Sequence, residues 1–102
     1  MKLEIDQRQL VDFCRRHHIR TMAFFGSVLR DDFRPDSDVD VLVEFLPEAT
    51  PTLFDLARME EELKNILGRE VDLIEKKSIE KSRNYLRRRA ILSTAETVYA
   101  ER

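Results

Sequence analysis

Two aspartates at the start of an apolar run are the strongest chemical signal in this sequence. Asp38 and Asp40 flank Val39 and open a run that continues to Phe45. Because alternate residues of a β-strand point to the same face, we expect the two carboxylates to lie side by side. Such a pair is costly unless a cation neutralises it, and Mg²⁺ accepts one or two carboxylates together with substrate phosphates. The pair therefore predicts a magnesium site.

A third acid interrupts another short apolar run, which extends from Val71 to Ile74 and contains Asp72. If this run forms a strand beside the one that carries Asp38 and Asp40, three carboxylates converge. Three carboxylates are the ligand set of a two-metal site, whose ions lie roughly 3.5–4 Å apart and hold the attacking and leaving oxygens. The sequence thus predicts Asp38, Asp40 and Asp72 as metal ligands and catalytic residues, with two Mg²⁺ ions.

A possible phosphate-binding turn precedes these acids. Gly26 and Ser27 follow an apolar run, where glycine lets the backbone approach a ligand and the following N–H groups can point at anions. The Ser27 hydroxyl can donate to a phosphate oxygen, and Arg30 could neutralise phosphate charge. Each motif alone is common in turns and on solvated strands. Their order and spacing together predict a site for a nucleoside triphosphate with magnesium.

Alternating helical and strand patterns predict an α/β domain. The predicted strands are Thr21–Phe25, Val39–Phe45, Val71–Ile74 and an edge strand, Thr97–Tyr99. The predicted helices are Asp6–His18, a brief segment Ser27–Asp32, Leu53–Leu67 and Asn84–Leu92. Asp6 and Thr52 have the side chains of helix N-caps, and Gly68 is suited to end the third helix.

The composition is that of one globular domain, which we expect to span residues 1–102. Apolar residues make up 42% of the chain and its net charge is −2, so the composition does not mark the chain as a nucleic-acid-binding protein. The single Cys14 excludes an internal disulfide, and no apolar run approaches the roughly 20 residues that span a bilayer. We therefore expect a cytoplasmic protein without direct membrane or nucleic-acid contacts.

Charges are segregated along the chain. Asp31–Glu48 contains seven acidic residues and one basic residue, whereas Lys76–Arg89 contains seven basic residues and one acidic residue. The basic stretch could meet phosphate or an acidic partner. Its three consecutive arginines, Arg87–Arg89, fit either an exposed helix surface or a partner-binding patch. Cys14 lies on the apolar stripe of the first predicted helix and is assigned to core packing.

The chain resembles the minimal nucleotidyltransferases of the DNA polymerase β-like superfamily. The resemblance rests on Gly26-Ser27-x-x-Arg30, then Ser37-Asp38-x-Asp40, then Asp72 on a later strand. A length of about 100 residues and the segment Asn84–Leu92 are similar to the subgroup encoded as antitoxins beside HEPN-domain toxins. One departure is Asp31, where the family often has glycine. Its extra negative charge near the triphosphate could weaken binding.

The resemblance implies a small mixed sheet flanked by helices and transfer of AMP from ATP, with Mg²⁺, to a hydroxyl. The acceptor would be a tyrosine of a cognate HEPN toxin, in a hetero-oligomer with this chain. Gly26, Ser27, Arg30 and Ser37 would bind the nucleotide. The aspartates would hold the metal ions, and Asp72 would also help to deprotonate the acceptor.

Two alternatives stay open at this point. The chain could be an antitoxin that neutralises its partner by covering it, with the metal site vestigial. It could also adenylylate a small molecule, as aminoglycoside-modifying relatives do, if two copies formed a shared cleft. The three acids favour catalysis, because a degenerate site has no chemical reason to keep adjacent like charges.

Overall fold

A computed structural model describes residues 5–26 and 38–101. Its four strands are β1 (Ile19–Phe25), β2 (Val39–Phe45), β3 (Val71–Glu75) and β4 (Glu96–Ala100). Within these residues the helices are α1 (Gln7–Arg16), α2 (Leu53–Leu67), α3 (Lys76–Glu80) and α4 (Tyr85–Thr94). No helix in the described ranges has the length and apolar character to cross a bilayer. The predicted brief helix at Ser27–Asp32 lies outside the described residues.

The strands form one mixed sheet in the order β3-β2-β1-β4. Strand β1 is antiparallel to both β2 and β4, and β2 is parallel to β3. A parallel pair needs a long crossover, which α2 provides between β2 and β3. The predicted small mixed sheet flanked by helices is confirmed, and β4 is an edge strand as predicted.

The two faces of the sheet are covered by different helices. The predicted alternation of β2 is confirmed: Val39, Val41 and Val43 pack into a core that also contains buried residues of α1 and α2. On the opposite face Leu42 packs into a second cluster with Ala23 and Phe25 of β1, Ile79 of α3 and Ile91 of α4. Residues of β2 and β3 that alternate with the valines therefore point toward the α3–α4 side.

Side-chain caps fix the ends of the main helices. The Asp6 carboxylate accepts hydrogen bonds from the first-turn backbone of α1, as predicted. Thr52 and Asp55 form a reciprocal capping box at the start of α2, and Gly68 ends it with φ +69°. Glycine adopts the left-handed conformation without the usual Cβ penalty, which explains why the helix ends there. The predicted bounds of α2, Leu53–Leu67, are confirmed.

Several elements differ from the sequence-based predictions, and the strands β1, β3 and β4 are each one or two residues longer at an end than predicted. Helix α1 ends at Arg16 rather than His18, because His17 caps it and His18 takes φ +55°, which turns the chain into a longer β1. Helix α3 was not predicted, since in five residues it buries only Ile79 and shows no period. Helix α4 continues to Thr94.

Strand β3 is the edge next to α2, and one side chain of that helix protects it. The Glu60 carboxylate accepts a hydrogen bond from the backbone N–H of Leu73 at 3.2 Å. Edge strands expose unpaired backbone groups that invite pairing with another chain. Glu60 satisfies one of these groups next to the position of Asp72.

Candidate active site

Two of the predicted acids lie opposite each other on neighbouring strands. The parallel register of β2 and β3 pairs Asp40 with Asp72. Both residues alternate with core residues, so both face the α3–α4 side of the sheet. Adjacent strands are about 4.8 Å apart, which brings the two carboxylates within reach of one bound cation. The predicted convergence of strands β2 and β3 is therefore confirmed for these two acids.

Gly26 follows β1 and lies directly against one of these carboxylates. Strand β1 ends at Phe25, which is the register partner of Asp40. Gly26 has φ +79°, and a Cβ atom built on it would lie 2.2 Å from Oδ2 of Asp40. Real Cβ atoms essentially never approach another atom so closely. The close approach of backbone and acid thus requires glycine at this position.

A cleft of about 300 Å³ contains these groups. Its walls include Gly26, Asp40 and Asp72 from the sheet side, together with Phe25 and Ile74. Helix α4 contributes the other wall with Arg87, Ala90, Ile91 and Thr94. Asp72 is exposed, yet it borders the same cleft as Asp40 and is not turned away from it.

Carboxylate oxygens and a nearby glycine backbone fit a hydrated Mg²⁺ ion with phosphate ligands. Asp38 is exposed and lies immediately before β2. In the described part of the chain, no three His, Cys, Asp or Glu side chains are grouped closely enough to hold a metal. The two-ion site of Asp38, Asp40 and Asp72 therefore stays a prediction. Asp40 and Asp72 are the two predicted ligands that the fold brings together.

The remaining predicted nucleotide-binding residues fall in the segment between β1 and β2. Ser27, Arg30 and Ser37 lie outside the described residues, as does Asp31. Their assigned contacts with ATP stay predictions. Gly26 and Asp38 mark the two ends of this segment, and Gly26 borders the cleft.

Sequence reasoning did not assign Arg87 to the site. The signal that could have found it is helical spacing: Arg87, Ala90, Ile91 and Thr94 follow the i, i+3, i+4, i+7 pattern of one helix face. Ile91 on that face is buried, so the face must turn toward the sheet. The spacing identifies the candidate face, and the burial of Ile91 in the structure selects it.

A second cavity, of about 360 Å³, lies between the end of α1 and the start of α2. Two of its lining residues, Arg16 and His17, bind Glu62: Arg16 donates to one oxygen, and His17 Nε2 lies 2.8 Å from the other. These hydrogen bonds, that from Arg16 first, hold the pKa of the Glu62 carboxyl below its usual value. This cavity is slightly larger, but Asp40 and Asp72 border the other cleft. We therefore place the candidate site between the sheet and α4.

Comparisons with known proteins identify the family to which the chain belongs. A model of the family described as the nucleotidyltransferase domain matches residues 7–95. A Methanocaldococcus jannaschii protein, provisionally named a protein adenylyltransferase, is 34% identical over 79 residues, which cover 78% of this chain and 83% of that protein. Protein adenylyltransferase MntA of Thermococcus cleftensis is 42% identical over 64 residues, which cover 63% of each. The chain thus spans just under two thirds of the Thermococcus protein.

Solved structures share the fold. One provisionally described as a minimal nucleotidyltransferase has a TM-score of 0.66 at 32% identity, covering 87% of this chain and 85% of that one. A toxin–antitoxin crystal structure with AMP-PNP gives a TM-score of 0.71 at 15% identity, with coverage of 96% and 76%. A complex of tri-AMPylated Shewanella oneidensis HEPN toxin with MNT antitoxin gives 0.63 at 15% identity, with coverage of 93% and 70%. Since the family model matches residues 7–95, which is most of the chain, the protein belongs to the nucleotidyltransferase domain family.

Proposed function

We propose that this protein transfers AMP from ATP to a hydroxyl group, expected to be a tyrosine, of a HEPN toxin and thereby acts as its antitoxin. The observation that carries the proposal is the in-register pair Asp40–Asp72 beside Gly26 in one cleft. The choice of acceptor is supported by relatives named as protein adenylyltransferases and by the complex with a tri-AMPylated toxin. The reaction would take place in the cytoplasm, in a complex of the two proteins.

The nucleotide would lie in the cleft with its phosphates near the acids. Because Gly26 has no side chain, its backbone can lie close to both the nucleotide and the Asp40 carboxylate, an approach that a Cβ atom would block. Asp38, Asp40 and Asp72 would hold Mg²⁺, expected as two ions, which would neutralise phosphate charge and orient the attacking and leaving oxygens. Ser27, in the segment that follows, would donate to a phosphate oxygen.

The transfer balances as a single displacement at the α-phosphorus. The acceptor oxygen forms a bond to the α-phosphorus, and the bond from that phosphorus to the oxygen bridging to the β-phosphate breaks. Pyrophosphate leaves with the electron pair, and Asp72 accepts the proton of the acceptor hydroxyl. Asp72 can act as this general base because its carboxylate is in contact with both the cleft and solvent.

The exposure of Asp72 fits an acceptor that another macromolecule delivers. Asp40 is half-buried beneath the cleft, whereas Asp72 lies exposed on the edge strand. An acceptor side chain on a partner surface can therefore approach Asp72 without a rearrangement of the sheet.

The test is transfer of label from [α-³²P]ATP to the protein encoded by the neighbouring gene, in the presence of Mg²⁺. We expect one or more AMP groups on the partner, each visible as a mass increase. Asp40→Asn and Asp72→Asn should each lower the transfer rate by at least about 100-fold, because the reacting phosphate loses charge neutralisation and alignment.

Glu61→Gln is the matched control, since Glu61 is an exposed acid on α2, a helix of the opposite face. This variant should transfer AMP at the wild-type rate. Absence of label with the wild-type protein, or equal transfer by Asp40→Asn, would refute the enzymatic function. Protection of toxin-expressing cells by Asp40→Asn at the wild-type level would instead assign the antitoxin effect to binding alone.

A further inference from the structure

The three consecutive arginines of α4 have different surroundings. Arg87 borders the cleft that contains the paired acids. The guanidinium of Arg88 lies 5.2 Å from the centre of the Tyr85 ring and donates to the carbonyl oxygen of Glu80 at 3.1 Å. Arg89 is exposed and does not border the cleft. The run is therefore not one uniform basic patch, because successive helical residues point about 100° apart.

Two local features fix the position of Arg87. The Asn84 side chain accepts a hydrogen bond from the backbone N–H of Arg87 at 3.1 Å and sets the start of the helix. One turn later Ile91, which is 8% exposed, anchors the same helix face in the cluster with Phe25. Residues 87 and 91 lie on one face, so burial of Ile91 turns Arg87 toward the cleft.

The negative charges around the cleft favour a basic residue on its α4 wall. Asp40 and Asp72 are both acidic, and a triphosphate is strongly anionic, so their direct approach is repulsive. Among the described residues that border the cleft, Arg87 is the one cation. No carboxylate in the described ranges forms an ion pair with its guanidinium. A guanidinium offers a planar array of donors that matches two phosphate oxygens at once.

We propose that Arg87 binds the phosphate oxygens of the nucleotide from the α4 side of the cleft. The inference rests on the proposed function, since it assigns a further binding residue to the same nucleotide site. Arg87 touches the triphosphate, not the acceptor protein. In the transfer step its guanidinium stabilises the negative charge of the departing pyrophosphate. It acts from the α4 side of the cleft, opposite the Gly26 backbone on the sheet side.

The test is equilibrium binding by calorimetry, with the full chain, Mg²⁺ and either ATP or adenosine. Arg87→Ala should weaken ATP binding about 10-fold, the lower end for a charge-assisted contact, because Arg87 is exposed and partly screened. Adenosine binding should not change, since it has no phosphate. Arg87→Lys should recover part of the loss, and Arg89→Ala should bind ATP like the wild-type protein.

Steady-state kinetics separate the nucleotide from the acceptor. We expect Arg87→Ala to raise KM for ATP and to leave KM for the partner protein unchanged. An unchanged affinity for ATP would overturn the inference, and so would an equal loss of adenosine binding, which indicates a distorted cleft. A rise in KM for the partner alone would place Arg87 on the acceptor surface and would also overturn it.

Failure of the inference and failure of the proposed function give different results. If the wild-type protein transfers AMP and Arg87→Ala binds ATP equally well, only the inference fails. If ATP binding depends on Arg87 but no partner is labelled, the inference stands and the proposed function fails. A circular-dichroism melt of each variant checks that the helix is retained, so a loss of binding is assigned to the side chain.

Discussion

The sharpest prediction concerns the contact between Gly26 and Asp40. In Gly26→Ala the new Cβ would lie 2.2 Å from Oδ2 of Asp40, where at least about 3.0 Å is required. The carboxylate or the end of β1 must therefore move by roughly an ångström, and a displacement of that size at a reacting centre can cost about 100-fold in rate. We expect kcat/KM for AMP transfer to fall by about that factor.

Gly26→Ala also strains the backbone, and this effect on the transfer rate must be separated from the displacement of the carboxylate. Gly68→Ala provides the control. Gly68 has a similar left-handed φ of +69°, but a Cβ atom there would meet nothing within 4 Å. Each glycine-to-alanine change should cost about 1–2 kcal/mol for the left-handed residue, which lowers Tm by several degrees. Gly68→Ala should therefore lose stability while its transfer rate per folded molecule stays at the wild-type level. Equal activity of the two variants would refute the reasoning.

Two further predictions concern the face formed by α1 and α2. Hydrogen bonds from Arg16 and His17 lower the pKa of the Glu62 carboxyl. The ionised carboxylate therefore contributes fully to stability above its unfolded-state pKa of about 4.3, and this contribution is lost as the pH falls through its folded-state pKa. Glu62→Gln should be less stable than the wild-type protein by about 0.5–1 kcal/mol at pH 7, and urea denaturation should show this difference shrinking as the pH falls below about 4.3; a difference independent of pH would contradict this origin. Burial raises the pKa of the Cys14 thiol to about 12. We therefore expect this thiol not to react with 5,5′-dithiobis(2-nitrobenzoate) at pH 8 until denaturant is added. Rapid reaction of the folded protein would contradict the assignment of Cys14 to the core.

Most of the sheet could be predicted because its signals are local. Three valines of β2 alternate with Asp40, Leu42 and Glu44, and that period of two assigned both the strand and its two faces. The 15-residue helix α2, with a capping box and a terminal glycine, is long enough to connect parallel strands. The sequence predicted convergence of the acids if these strands were neighbours, and the register that pairs Asp40 with Asp72 comes from the structure. The single domain over residues 1–102 stays a prediction.

Other features depend on contacts that a local pattern does not contain. Helix α3 has five residues and one buried side chain, so it is stabilised by its position after β3 and not by a repeating pattern. The end of α1 depends on the positive φ of His18, a conformation that is uncommon for any residue other than glycine. The separation of Arg87 from its two neighbours depends on which face of α4 is buried, and Ile91 alone decides it.

The division of the sheet into two faces explains how so short a chain can combine stability with an acidic site. Of the described buried residues, thirteen form the core on the α1–α2 side and five form the cluster on the α3–α4 side. Desolvation of a carboxylate is costly, so paired acids are better placed on the thinner, more open side. Asp72 stays exposed there, while Val71, one residue earlier, belongs to the main core. One strand thus supplies packing on one face and a predicted catalytic acid on the other, and we expect substitutions of Asp72 to affect transfer more than folding.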